Sequence, residues 1–211
     1  MKSLFCLSFI LALALSGCKQ PQPADAHASH QAMAPTATAV ATNQPLSDMS
    51  LYNLSSEWQN QNGEPLTLPQ LQGKVQLMAM IYTSCTYACP RIVADLRRIE
   101  ESLDKYETGD VGIVLVTMDP ENDTPEKLKA FAQENKLNPD RWTLLTSSEA
   151  NIQELAVLLN MKYKNSGNGQ IAHSNIISVL NAQGEIMHQQ QGLGTDPDET
   201  VKSIEALLQA L

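Results

Sequence analysis

Cys85 and Cys89 stand four residues apart in Tyr82-Thr83-Ser84-Cys85-Thr86-Tyr87-Ala88-Cys89-Pro90, where an apolar run gives way to an amphipathic one. Two thiols at such a strand-to-helix junction can close into a disulfide or chelate a soft metal. Residues four apart on a helix share a face, so a helix beginning near Cys85 is expected to point both sulfurs the same way. Its N-terminus carries partial positive charge, which favours thiolate over thiol. Thiolate is both the nucleophile and the metal ligand, so the spacing leaves redox and metal chemistry equally open.

A third ligand would separate the two. Soft thiolates select Cu(I), and a neutral imidazole added to two thiolates makes a three-coordinate site that also tolerates Cu(II). A closed structural zinc site normally takes four protein ligands. His173, in Gln170-Ile171-Ala172-His173-Ser174-Asn175, lies after a glycine-rich stretch and just before a strand-like run, and is the candidate imidazole. Asp119 ends another buried run, at the sheet edge where ligands of open α/β folds gather, and reads as a turn carboxylate satisfying backbone amides. Asp123 and Thr124 read as organisers of the next helix start. His27, His30 and Met33 lie three residues apart and have donors suited to transient copper binding, but a segment this featureless yields such spacing by chance. Met78, Met80 and Met118 are core fillers by pattern, and His188 carries no chemical argument.

The elements that must position these residues follow from hydrophobic periodicity. Leu51-Tyr52-Asn53-Leu54 and Glu64-Pro65-Leu66-Thr67-Leu68 bracket an Asn62-Gly63 turn signal, the pattern of a hairpin. Val75 to Tyr82 and Val111 to Thr117 read as strands buried on both faces of a parallel sheet. Between them Ile92, Val93, Leu96, Ile99 and Leu103 recur at helical spacing. Thr124-Pro125-Glu126 opens a second helix with a hydroxyl cap and proline at its first position. Trp142 to Leu145 reads as a third parallel strand, and Ser147 or Ser148 caps the helix that follows it. The Gly167-Asn168-Gly169 stretch reads as loop. Asn175 to Leu180 and Glu185 to Gln190 read as an antiparallel pair, and Asp196 caps the last helix with Glu199 as reciprocal partner. Hairpin, βαβαβα and ββα in that order predict an α/β fold of thioredoxin-like type: a central mixed sheet flanked by helices, with an N-terminal β-hairpin extension.

Compartment is read from the first residues. Lys2 precedes an apolar stretch, Leu4 to Leu15, too short for a membrane span and suited to a secretory signal. Leu15-Ser16-Gly17-Cys18 resembles the bacterial lipobox, so residues 1–17 are expected to be removed and Cys18 to carry lipid. Cys6 leaves with the signal, and of the chain's four cysteines only Cys85 and Cys89 then remain as thiols. Residues 18–45 are Ala, Pro, Gln, Thr and His with scarcely a bulky side chain, a composition that cannot offset its ordering entropy and predicts a flexible tether. Residues 46–211 suit one domain with a single core. The expected location is the periplasmic side of a bacterial membrane. A formal net charge of −9 with no basic cluster makes nucleic acid a poor partner.

Three segments in order, Thr83-Ser84-Cys85-Thr86-Tyr87-Ala88-Cys89-Pro90, Met118-Asp119-Pro120-Glu121-Asn122-Asp123-Thr124-Pro125-Glu126 and Ala172-His173-Ser174, resemble the three motifs of the Sco (SenC-like) family, over about Leu46 to Leu211. Members of that family are membrane-anchored thioredoxin-fold copper proteins that help mature the dinuclear copper centre of cytochrome c oxidase. The resemblance implies copper as cofactor, Cys85, Cys89 and His173 as its ligands, and a copper-receiving oxidase subunit as partner. Thr86 departs from the family pattern, which commonly has proline directly after the first cysteine. A competing expectation is a thiol/disulfide oxidoreductase acting on partner cysteines, with Cys85 attacking and Cys89 resolving. Thioredoxin-like reductases usually place proline in the loop facing their cysteines, where this chain has Ala172 or His173. A thiol peroxidase is weaker still, because Tyr82 stands where that group has threonine, three residues before the cysteine.

Overall fold

The computed structural model describes residues 45–107, 109–165 and 170–211, all within one compact unit. The signal segment, the tether, Cys18, His27, His30, Met33 and the Gly167-Asn168-Gly169 loop lie outside the described residues.

The core is a seven-stranded mixed sheet. Its strands are β1 (Glu57–Asn60), β2 (Pro65–Thr67), β3 (Val75–Ile81), β4 (Val111–Thr117), β5 (Trp142–Thr146), β8 (Ile176–Leu180) and β9 (Ile186–Gln191), in the spatial order β2-β1-β5-β4-β3-β8-β9. β3, β4 and β5 are parallel, while β8 lies antiparallel on β3, β9 on β8 and β1 on β5. β3, β4 and β8 are buried at every residue, which explains why they are apolar apart from Gln76, Thr117 and Ser178. The helices are α1 (Ala88–Ser102), α2 (Pro125–Glu134), α3 (Glu149–Leu158) and α4 (Asp198–Leu208). α1 and α4 pack on each other and on β3, burying Ile92, Val93, Leu96 and Ile99 of the predicted stripe. This is the expected thioredoxin-like arrangement, with a β1–β2 hairpin extending the sheet beyond β5. Met78, Met80 and Met118 are core residues, as expected.

Several elements differ from the sequence reading. Leu51–Asn53 is a single 3-10 turn, with Ser50 Oγ accepting from the Tyr52 amide, and the first hairpin strand begins at Glu57. The Asn62-Gly63 turn is where the sequence puts it, with Gly63 at φ +77°. Residues 51–54 are apolar because Leu51 and Tyr52 plug the start of the domain core, not because they form a strand. Tyr163–Asn165 (β6) and Ile171–His173 (β7) form a separate two-stranded ribbon that the sequence reading missed. Ser148 rather than Ser147 caps α3. Asp196 accepts from the Asp198 amide just ahead of α4, without the expected reciprocal cap from Glu199 among the described bonds.

Asp123 does more than open α2. Thr124 is the cap of that helix, accepting from the Lys127 amide at 3.4 Å. The Asp123 carboxylate is 1% exposed and turns the other way, accepting from the Thr83 amide at 3.0 Å, from the Thr83 hydroxyl and from the Thr117 hydroxyl at 2.6 Å. It therefore ties the segment leading into Cys85 to the end of β4. Asp119 is held by its neighbours: Asn122 Nδ2 donates to both its carboxylate oxygens, at 2.9 and 3.1 Å. Asp123→Ala strands three donors at once, the buried Thr117 hydroxyl and the part-buried amide and hydroxyl of Thr83, so it is expected to lower unfolding free energy by about 2–4 kcal/mol. Urea titration of the reduced protein checks this, and wild-type stability in the variant would show that the tether is dispensable.

Candidate metal centre

β3 delivers the chain to Cys85, but the helix does not begin there. α1 starts at Ala88, leaving Cys85 in the preceding turn and only Cys89 in the first helical turn. Pro90 is the physical reason. A helix begun at Cys85 would need a donor at residue 90, and proline has none and clashes with the preceding turn; within the first turn its missing N–H costs nothing. The two sulfurs still converge, by another route. The Cys85 sulfur folds back over the helix start and accepts the Cys89 amide at 3.4 Å, a bond that Tyr87, the backbone cap, does not supply from its side chain. Cys89 points into the core, where its sulfur accepts the Tyr82 amide at 3.4 Å.

The pair is unequal. Cys85 is partly exposed and Cys89 fully buried, and both are free thiols. Burial pushes the Cys85 thiol up, but hydrogen bonds from the Cys89 and Tyr87 amides and from the Cys89 and Tyr82 side chains outweigh it and bring it below the ordinary thiol value. Burial pushes the Cys89 thiol up, and the neighbouring Cys85 sulfur and the Asp123 charge add to that effect.

His173 closes the third side. β6 pairs with β7 so that Tyr163 lies opposite His173, and the ribbon brings the imidazole over the cysteine turn. His173 Nδ1 lies 2.9 Å from the Ser174 carbonyl oxygen. A carbonyl only accepts, so Nδ1 is the donor, and in the neutral imidazole this leaves the lone pair on Nε2, the tautomer a metal ligand needs. One ligand atom from each of Cys85, Cys89 and His173 lies within 4.8 Å of the other two. Bonds of about 2.0–2.3 Å to one ion require donors separated by roughly 4 Å, so only a small inward adjustment is needed. Two sulfurs and one imidazole are a soft set suited to copper. Neither Asp119 nor Asp123 belongs to this ligand cluster, and His188 instead meets the Thr200 hydroxyl at 3.1 Å, in contact with α4.

Tyr82 is the functional residue that the sequence reading weighed only as a missing threonine. Its amide holds the Cys89 sulfur, and its hydroxyl lies against Cys85 and accepts the Ile171 amide at 3.5 Å. Its ring meets His173 edge to face, with centroids 6.0 Å apart. It thus touches all three candidate ligands. Its phenol is pushed up by burial first and by the bond to Cys85 second. Its place directly after β3 and immediately before the Thr83-Ser84 turn was the available signal, since a residue at a strand exit borders whatever lies beyond it. The site opens as a cleft of about 360 Å³ lined by Tyr82, Cys85, Tyr87, Ile171, His173 and Asn175, among others.

Comparison with known proteins agrees with this geometry. Residues 48–209 match the SCO1/SenC family model. The SCO1 protein homolog of Bacillus subtilis is 32% identical over 149 residues, covering 69% of this chain and 77% of that protein. A putative copper-binding protein of Stutzerimonas stutzeri is 24% identical over 131 residues, 60% of this chain and 63% of that one. Among solved structures, BsSco, described with a disulfide switch and as a member of the Sco family of cytochrome c oxidase assembly proteins, superposes with a TM-score of 0.65 at 29% identity, over 74% of this chain and 92% of its own. The match spans nearly the whole folded domain and includes both thiols and the imidazole, and this chain belongs to the SCO1/SenC family.

Proposed function

We propose that this protein is a copper carrier of the periplasm, held to a bacterial membrane by lipid on Cys18, which delivers copper to cytochrome c oxidase during assembly of its copper centre. The convergence of Cys85, Cys89 and His173 within 4.8 Å, with Nε2 left free by the Ser174 carbonyl, is the observation that carries it. The names of its relatives, one a putative copper-binding protein and one among oxidase assembly proteins, support the cargo and the destination. The lipobox-like Leu15-Ser16-Gly17-Cys18 supports the anchor.

In this reading the chain supplies a three-donor grip with one open side. Cys89 is the buried post, fixed by the Tyr82 amide, and Cys85 and His173 are the partly exposed jaws facing the cleft. An acceptor's own soft ligands can approach from the cleft and replace the exposed donors first, so that copper passes by ligand exchange without being released to water. Loading needs both thiols reduced and deprotonated and the imidazole neutral, and it releases protons.

The unequal thiols also favour a second reading, dithiol reduction of a partner disulfide. The Cys85 thiolate attacks one partner sulfur and expels the other as thiolate. Cys89 then attacks the Cys85 sulfur, closing the intrachain disulfide and releasing the second partner thiol. Two electrons and two protons pass to the partner.

Three measurements test these readings. Reduced wild-type protein is expected to bind one copper, and His173→Ala to bind it more weakly by more than the ~10–100-fold typical of losing an outer partner. An unaltered tight site in that variant removes the imidazole from the mechanism. Iodoacetamide on the folded apo-protein is expected to label Cys85 alone, with Cys89 reacting only after unfolding. Because the Cys85 thiol lies below the ordinary value, its labelling persists under mildly acidic conditions where a free thiol has gone silent; peptide mass spectrometry reads both points, and equal labelling of the two cysteines contradicts the asymmetry. Tyr82→Phe keeps the ring against His173 and removes the hydroxyl beside Cys85. It is expected to shift the sulfur-to-copper absorption and slow Cys85 labelling while stoichiometry stays at one, and identical spectra would leave the hydroxyl without a role.

A further inference from the structure

Four of the six large apolar side chains left exposed among the described residues fall together. Met49, Val157, Leu158 and Met187 are 77%, 74%, 43% and 51% exposed and line one groove of about 840 Å³, while Tyr87 borders the metal centre and Leu211 is not among the groove's lining residues. Single exposed apolar residues are ordinary, whereas a contiguous group lining a concavity marks an interaction surface. The segment leading into the 3-10 turn Leu51–Asn53, the C-terminal end of α3 and the start of β9 form its walls. β9 is an edge strand of the sheet, so among the described residues no further strand covers this side.

The groove lies at the opposite end of the sheet from the metal centre. Cys85 follows the end of β3, whereas Leu180 pairs with Gln76 near the start of that strand and Ile186 pairs with Leu180. The strand between spans about 17 Å at roughly 3.3 Å per residue. A molecule seated here leaves the copper cleft open.

Charge selects the occupant. The lining carries three carboxylates, Asp48, Glu154 and Glu185, and no lysine, arginine or histidine. A second copy of this chain, at net charge −9, brings like charge to an acidic rim. An anionic lipid surface does the same. The chain's own residues 19–44 offer scarcely a bulky side chain to fill the floor. We infer that this groove docks a basic amphipathic segment of a partner protein, its apolar face seated on Met49, Val157, Leu158 and Met187 and its lysines or arginines against Asp48 and Glu154. Methionine suits such a floor because its unbranched thioether adapts to different side chains. The partner is thereby held by one end of the domain while copper exchange proceeds at the other. The docking does not depend on the copper assignment.

The test uses full-length reduced protein and two fluorescent synthetic helices, one of leucine and lysine and one of leucine and glutamate, read by anisotropy. The lysine peptide is expected to bind saturably at one per chain, and the glutamate peptide to bind at least tenfold more weakly. Val157→Gln with Met187→Gln removes apolar floor without changing charge and is expected to weaken binding roughly tenfold or more. Asp48→Asn with Glu154→Gln is expected to flatten the salt dependence. All four side chains are exposed, so folding and copper stoichiometry should stay at wild-type values, which are measured alongside. Equal binding of the two peptides, binding indifferent to both double variants, or non-saturating binding overturns the proposal. So does a wild-type dimer that the Val157 and Met187 changes dissociate, which assigns the groove to a second copy, or competition by anionic vesicles, which assigns it to the membrane.

Discussion

A single weak hydrogen bond, from the Cys89 amide to the Cys85 sulfur, sets the character of the whole site. It exists because the helix cannot start at Cys85, and it makes the first thiol stand in for a helix cap. A sulfur in that position takes up an orphan amide of the first turn and is stabilised as thiolate. The second thiol, one turn into the helix, faces the core and has the opposite environment. The four-residue spacing therefore produces two thiols of different exposure and acidity, where an uninterrupted helix would have made them equivalent neighbours.

The surrounding fold serves to keep that turn in place and bring a third donor to it. Asp123 anchors the turn to β4, Tyr82 anchors it to the β6–β7 ribbon, and the Ser174 carbonyl sets the imidazole tautomer. The Asp123–Thr83 and Tyr82–Ile171 contacts bridge segments far apart in the chain, whereas the tautomer is set by the adjacent residue. The result is a site whose three donor atoms lie within 4.8 Å of one another. Partial exposure of Cys85 and His173 keeps two of the three donors within reach of a competing ligand. A soft donor set with one open side is what the proposed carrier role draws on.

The same features underlie both proposed readings. A depressed thiol beside a buried partner is the arrangement of a dithiol reductant as well as that of a soft-metal grip. His173 favours the metal reading, because an imidazole nitrogen within 4.8 Å of both sulfurs adds a ligand that disulfide exchange does not require. Oxidation to a disulfide and occupation by metal are mutually exclusive uses of the same sulfurs.

Much of this was written in the sequence. Nearly continuous apolar runs announced β3 and β4, the hairpin pattern announced β8, helical periodicity announced α1, and Thr124-Pro125 announced α2, because burial, turn and cap chemistry are local demands on residue type. Cys85, Cys89 and His173 were identifiable from their types and from the resemblance of three segments to a family. The start of α1 was legible too, in Pro90, which forbids an earlier helix. Other features were settled by contacts that no local pattern records. The β6–β7 ribbon consists of three-residue strands, too short for periodicity to show, and residues 51–54 carry a strand-like pattern although their apolar side chains are used to plug the core. Asp123 reads locally as part of a helix start, yet its carboxylate is spent on Thr83, forty residues earlier. What the sequence determined was which groups could do chemistry; which of them meet, which sulfur is exposed, and which nitrogen is free were decided only when distant segments were packed together, because distance, burial and hydrogen-bond partner are properties of the assembled neighbourhood and not of the residue.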